Sequence, residues 1–366
     1  MIISILQNIK NSEINFIIQG SGNQRILGNY FKFTPSEVLV NGVKDNSCSK
    51  TCNLQGGENN ITLRFNDEII SCFDMFNGAK NIKEIDLSNF DFSKVTDLTQ
   101  MFNDCDNLEK IEFGNINTSS VIFINTMFQS CFKLKSIDFS NFDTSQVIDM
   151  SFMFSVCSSL EKIEFGNINT SSVEDMNCMF QGCYLLTSID LSYFDTSKVT
   201  DMGSMFSRCN QLKYLNLSNF NTSKVETIKN MFNGCSSLIY LNLKSFKLNN
   251  SVNKANAFQY ISSYVTYCIE DHATKDFLTE ITSDCSNDCF KDNVIIDFNN
   301  KKCTGTCSKY ICNNICYNEC PEGTYSLYCY DNNCNNKVKE CFNKTPEGYY
   351  LDEYNKKYKK CFEKCK

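Results

Sequence analysis

The sequence predicts a repeat solenoid, with one short strand and one short helix per rung, ending in a small disulfide-rich module. Three observations predict it. Met-Phe pairs recur at one constant step, from Met75-Phe76 through Met101, Met127, Met153, Met179 and Met205 to Met231-Phe232, and Ala257-Phe258 keeps the phase. Cys105, Cys131, Cys157, Cys183, Cys209 and Cys235 follow those pairs in one fixed phase. Twelve further cysteines crowd into the stretch from Cys285 to Cys365. A period of about 20–50 residues marks rungs that cannot bury their apolar side alone and must stack to do so. The expected division is a β-rich cap over 1–60, the solenoid over 61–266 and a cysteine-rich module over 267–366.

The cap comes first. Ile14–Ile18, Tyr30–Phe33 and Val38–Val40 are short strand candidates between turn signals such as Gly20-Ser-Gly22 and Asn41-Gly42. Their expected task is to cover the apolar end of the first rung, which solenoids need to stay soluble. Cys48 and Cys52 flank a polar loop and are placed to pair with each other or with Cys72.

Within a rung, Leu212-x-x-Leu215-x-Leu217 alternates as a half-buried strand does. Asn221-Thr222-Ser223 supplies a turn, with Ser223 as N-cap. Val225, Ile228, Met231, Phe232 and Cys235 then recur at the three- and four-residue spacing of a short α- or 3₁₀-helix. The repeat cysteines are expected as buried free thiols, because parallel side chains on successive rungs do not point at one another.

The start Leu-x-x-Leu-x-Leu resembles leucine-rich repeats, which makes the predicted solenoid one of α/β leucine-rich-repeat type. The longer phrases Ser140–Cys157 and Ser192–Cys209 are similar to the BspA-like subclass, found on the surfaces of bacteria and some protists. The Asn in Asn89, Asn141 and Asn219 sits one place early for the usual asparagine ladder, so that ladder is not expected. Rungs alternate between Ser-Asn-Phe-Asp and Gly-Asn-Ile-Asn forms, and Glu109–Val121 recurs identically at Glu161–Val173. A pair of rungs was therefore duplicated as a unit, and such uniformity suits a ladder better than a catalytic site.

The resemblance implies partner binding through the strand face. There the outward column runs Asp86, Glu112, Asp138, Glu164, Asp190, Asn216 and Asn242. It reads either as a docking stripe for a basic partner or as a solvated face relieved by nearby lysines. Tyr214 and Tyr240 make the C-terminal end aromatic, which favours contact there. Sequons at Asn60, Asn117, Asn169, Asn221 and Asn343 are glycosylation candidates if the chain is secreted, beside those at Asn216 and Asn249.

After Phe258 the pattern stops. Cys268 with His272 is a conceivable nucleophile pair, but no orienting partner accompanies the single histidine. Cys285, Cys289, Cys303, Cys307, Cys312, Cys316, Cys320, Cys329, Cys334, Cys341, Cys361 and Cys365 lie among polar turns with few aliphatic residues. Cross-links must then replace a core. Zinc is the rival, against which stand the Cys-x-x-x-Cys spacing and the lack of histidine there. Cys320–Tyr325 and Pro346–Tyr350 resemble growth-factor-receptor or furin-like cysteine-rich modules.

Net charge of −7 argues against nucleic acid. No apolar run reaches membrane-spanning length, and residues 1–24 do not read as a signal peptide. The expectation is a fragment of a longer extracellular or cell-surface protein, not an enzyme, without cofactor or metal. Its partner is a host, matrix or cell-surface protein, as the resemblance to adhesive surface proteins implies. The alternatives are a receptor ectodomain fragment and an intracellular leucine-rich-repeat scaffold.

Overall fold

The computed structural model describes residues 12–262 and 265–269, with eight short strands between residues 295 and 360. Two units are present: Met1–Leu238 with Ser245–Ser262, and Ile239–Lys244 with Ser263–Lys366.

The first unit begins with a sheet that turns the chain onto the solenoid. Strand β1 (Ser12–Gln19) buries Ser12, Ile14, Phe16 and Ile18 and exposes the residues between them to varying degrees. The short β2 (Gly22–Arg25) pairs with β5 (Thr51–Leu54) as a separate two-stranded sheet. Strand β3 (Glu37–Val40) turns into β4 (Val43–Lys44) at Asn41-Gly42, where both φ angles are positive, as a two-residue hairpin requires. Strand β6 (Glu58–Phe65) lies antiparallel between β3 and β1. The other edge of β1 pairs antiparallel with β7 (Ile82–Asp86), which pairs parallel with β8 (Lys110–Glu112). One six-stranded sheet thus converts an antiparallel cap into a parallel stack. The expected strand at Tyr30–Phe33 does not form; Phe31 is buried there against Phe65, ring centroids 6.1 Å apart.

Cap and first rung meet closely at one glycine. Gly28 donates to the Met75 carbonyl at 2.8 Å, and Tyr30 N–H to the Asp74 carboxylate at 2.6 Å. Of the two pairings open to Cys48, the one with Cys52 is made, and Cys72 is a buried free thiol.

In the rungs the short helix is replaced by consecutive turns, and no helix occurs among the described residues. The reason lies in where the N–H groups go. Leu98, Gln100, Phe102 and Asp104 donate to carbonyls of the following rung, at Phe123, Asn125, Met127 and Gln129. Met101, Asn103 and Cys105 instead donate three residues back, closing turns on Leu98, Gln100 and Phe102. A helix would claim every one of these donors for itself. Sharing them between rungs needs a left-handed residue twice per rung. One column is Asp74, Gln100, Thr126, Phe152, Cys178, Ser204, Asn230 and Asn256, with φ from 54° to 64°. The column four residues on includes Val156 at φ 61°, a conformation a β-branched residue takes only when its surroundings impose it. Residues spaced by three and four still face inward, so the apolar pattern matched a helix while the backbone did not.

The core is a set of columns. The rings of Phe76, Phe102, Phe128, Phe154, Phe180, Phe206 and Phe232 stack with centroids 5.3–5.9 Å apart and interplanar angles of 17° or less. Beside them each repeat thiol donates to a phenylalanine carbonyl of the rung before, from Cys105 to Phe76 through Cys235 to Phe206, at 3.0–3.3 Å. A second ladder is made by Thr118, Thr144, Thr170, Thr196 and Thr222, all buried. The Thr170 hydroxyl donates to the Asp195 carbonyl and accepts from the Asp195 N–H, both at 2.8 Å. This threonine ladder ties successive rungs together, and Asn219 of the early-placed asparagine column also reaches back, its amide donating to the carbonyls of Leu191, Ser192 and Phe194.

The two-rung alternation has a steric cause. Gly114 and Gly166 adopt φ near +60°, and a Cβ on either would come within 2.8 Å of Ser88 or Ser140 in the preceding rung. In the serine rungs a side-chain cap turns the chain instead: Asp86, Asp138 and Asp190 accept the N–H two residues on. Glutamate in the glycine rungs is too long for that turn. The strand side is paired in short stretches, including parallel β9 (Ser136–Asp138) and β10 (Lys162–Glu164), and β11 (Tyr214–Asn216) follows. On the turn side, bridges run unbroken from Asp97 to Asn253.

In the second unit, β12 (Tyr240–Asn242) pairs parallel with β13 (Thr266–Cys268). The cysteine-rich segment holds four antiparallel pairs: β14 (Ile295–Asp297) with β15 (Lys302–Thr304), β16 (Tyr310–Cys312) with β17 (Ile315–Tyr317), β18 (Tyr325–Tyr328) with β19 (Lys339–Phe342), and β20 (Tyr349–Asp352) with β21 (Lys357–Lys360). Parallel contacts β14·β17, β16·β19 and β18·β21 join each pair to the next. Cys303, Cys312, Cys316 and Cys341 fall on these strands, but the side chains of all twelve cysteines, with Asn343 and His272, lie outside the described residues.

Candidate functional site

The strand face carries the candidate site. Its acidic column is real in the first unit: Glu112, Asp138, Glu164 and Asp190 are exposed and Asp86 is half-buried. The column is not uniform chemically. Asp86, Asp138 and Asp190 each commit one carboxylate oxygen to the N–H of Ser88, Ser140 or Ser192, at 2.8–2.9 Å. The Ser140 hydroxyl and N–H together hold the Asp138 carboxyl below its ordinary range. Glu164 is ion-paired with Lys162 on the same strand. Asn216 and Asn242 repeat the cap toward Ser218 and Lys244, each at 3.1 Å.

Two candidates are corrected. Tyr240 and Asn242 are buried, at 0% and 3% exposure, so neither belongs to a binding surface. Tyr214 is half-buried. The outward position of a strand residue was read from alternation, which is blind to what lies over the strand.

Alternation also gave no sign of a groove where the cap joins the first rungs. It has a volume of about 350 Å³ and crosses strands β6, β1, β7 and β8. Asn15, Asn60 and Thr62 form one wall, Ile17 lies between, and Glu84, Asp86, Lys110 and Glu112 form the other. Thr62 donates to Asn15 at 2.6 Å, and Asn15 to Glu13 at 3.1 Å. At one border Arg64 pairs with Glu13 and Glu37. Hydrogen bonding to Arg64 is the main cause that lowers the Glu13 carboxyl, while the charge of Asp86 acts in the opposite sense.

The sequon asparagines Asn60, Asn117, Asn169 and Asn221 are exposed. Asn117, Asn169 and Asn221 line one edge, and each accepts the N–H two residues on. The threonine between Asn and Ser in those three is the ladder residue. Its signal in the sequence is the constant phase of Thr118, Thr144, Thr170, Thr196 and Thr222.

The repeat thiols are chemically quiet. Burial pushes Cys157 and Cys235 up to about 12, and Cys178, buried beside Ser204, up to about 11. A thiol reacts as thiolate. Iodoacetamide at pH 8 on the native protein is therefore expected to leave Cys105–Cys235 unlabelled by mass spectrometry, with full labelling in denaturant. Labelling of Cys157 at the native rate of an exposed thiol would contradict this packing. Among the described residues no three side chains are placed to hold a metal ion, and no helix is long and apolar enough to cross a membrane.

Stacked parallel strands, bridged turns and columns of buried Phe, Cys and Thr define a repeat protein of the solenoid class, with an extended face rather than an enclosed centre. The chain belongs to the family described as "Mycoplasma protein of unknown function, DUF285", whose model matches residues 70–184 and again 157–270, each a little over four rungs. That match ends before the cysteine-rich segment and gives no support to the furin-like resemblance there. No curated protein and no solved structure matches the chain.

Proposed function

We propose that this chain is a non-catalytic recognition protein of the cell surface, of BspA-like type, which binds a host, matrix or cell-surface protein through its strand face. The observation that carries the reading is the column from Asp86 to Asp190. It presents acidic groups at rung spacing on a backbone that stacking makes rigid, which suits many modest contacts along a partner. The Cys48–Cys52 disulfide fits an oxidising compartment. The rung thiols fit it as well, since each is buried and held by a carbonyl.

Two measurements test this. A membrane-impermeant amine reagent on intact cells should label the chain, and beads coated with it should adhere to partner cells. Glu112→Lys with Glu164→Lys should cut that adhesion severalfold, because both side chains are exposed and reversal adds repulsion toward a basic partner. Labelling only after lysis would sink the surface reading.

A further inference from the structure

The groove between cap and solenoid narrows the partner's chemistry, on the premise that the strand face is a recognition surface. We infer that this groove is a docking site for an extended polypeptide segment with closely spaced lysines or arginines. The argument begins with how charge is distributed on the six-stranded sheet. Acids around the groove are already neutralised: Glu13 and Glu37 by Arg64, and Glu58 by Lys83 at 2.9 Å. Inside it, Glu84, Asp86 and Glu112 make no ion pair with any described residue. Lys110 is the one cation among the groove's lining residues, and it too makes no ion pair with a described residue.

The strand register sharpens the imbalance. Asp86 lies opposite Glu112 in the parallel pair β7·β8, so two carboxylates face outward from neighbouring strands about 5 Å apart. Like charges so placed repel, and a partner's cation between them relieves the repulsion. Asp86 cannot turn away to escape, because its other oxygen holds the Ser88 N–H at 2.9 Å. Across β1, the polar row of Asn15 and Thr62 is fixed by the 2.6 Å bond between them. It offers amide and hydroxyl groups to a backbone, and Ile17 provides an apolar strip for a lysine or arginine stem. The volume of about 350 Å³ is at the small end of ligand sites, enough for side chains rather than a folded domain. The site depends on the cap: without β1 on the edge of β7 there is no second wall.

The test uses the full chain and a fluorescein-labelled octalysine peptide, with octaglutamate as control, by anisotropy at low and physiological salt. Glu84→Gln, Asp86→Asn and Glu112→Gln together should weaken octalysine binding about tenfold, the size expected from losing three exposed charge pairs. Asp86→Asn keeps the cap on Ser88, as Asn216 does on Ser218, so the variant should melt near the parent. Lys110→Gln should strengthen binding. Glu174→Gln with Glu226→Gln, exposed on the turn side of distant rungs, should leave it unchanged. Equal weakening by the distant pair, or no octalysine binding by the parent chain, would overturn the groove. Labelling and adhesion on intact cells would still report on the recognition reading in that event.

Discussion

Replacing Gly28 by alanine is expected to cost about 3 kcal/mol or more, and to free the cap from the first rung. A Cβ at this position would sit 1.7 Å from the Asp74 carbonyl oxygen and 2.5 Å from its carboxylate. The backbone there cannot yield alone. Gly28 N–H is bonded to Met75, Tyr30 N–H to Asp74, and Asp74 is itself left-handed at φ 64°. Relief must come from lifting the whole 26–31 segment, with buried Ile26, Leu27 and Phe31 on it. The expected result is a lower denaturation midpoint and early tryptic cleavage after Arg25 and Lys32, while the later rungs stay protected. An unchanged midpoint would mean that the cap does not close the stack in the way described.

The second large effect is expected at the threonine ladder. Thr170→Val preserves shape but deletes a hydroxyl that bonds both the N–H and the carbonyl of Asp195 across one rung boundary. Leaving a donor and an acceptor unmet between rungs costs about 2 kcal/mol or more. Thr170→Ser keeps the hydroxyl and should cost markedly less. Urea denaturation of the two variants beside the parent decides the matter: equal losses would assign the position to methyl packing instead of the ladder. The same change at Thr118, where both bonds also reach Asp143, should behave alike.

The sequence made the stack legible because its evidence repeats. Successive copies of Met-Phe-x-x-Cys keep the same phase, and the buried columns of Phe and Cys follow from it. What the rung does with its backbone was less legible. The spacing of Val225, Ile228, Met231 and Phe232 fits a helix or a run of turns equally well, because periodicity reports which way side chains face. The residues that decide between them, Gln100, Thr126, Phe152 and Ser204, range from an amide through hydroxyls to an aromatic ring, although all sit left-handed. They are placed by bonds to the next rung, which no local pattern encodes. The candidate face divides in the same way. Asp86 to Asp190 could be read from strand alternation, whereas the groove depends on β1 meeting β7 across the whole intervening cap sequence. Burial of Tyr240 and Asn242 was hidden as well, because alternation reports which face a strand residue takes and not whether that face is covered.

The serine-under-glycine junctions at Ser88/Gly114 and Ser140/Gly166 bear on how such genes change length. Gain or loss of two rungs together by unequal recombination rebuilds each junction with the same two partners, so the product inherits a stack with no new misfit. A step of a single rung breaks the alternation and brings together two glycine rungs or two serine rungs. Where two serine rungs do meet, at Ser192 and Ser218, an extra device is present: the Asn219 amide reaches back to the carbonyls of Leu191, Ser192 and Phe194. Lineages carrying this architecture should therefore differ in reach by pairs of rungs, and odd-numbered variants should carry a compensating side chain at the seam.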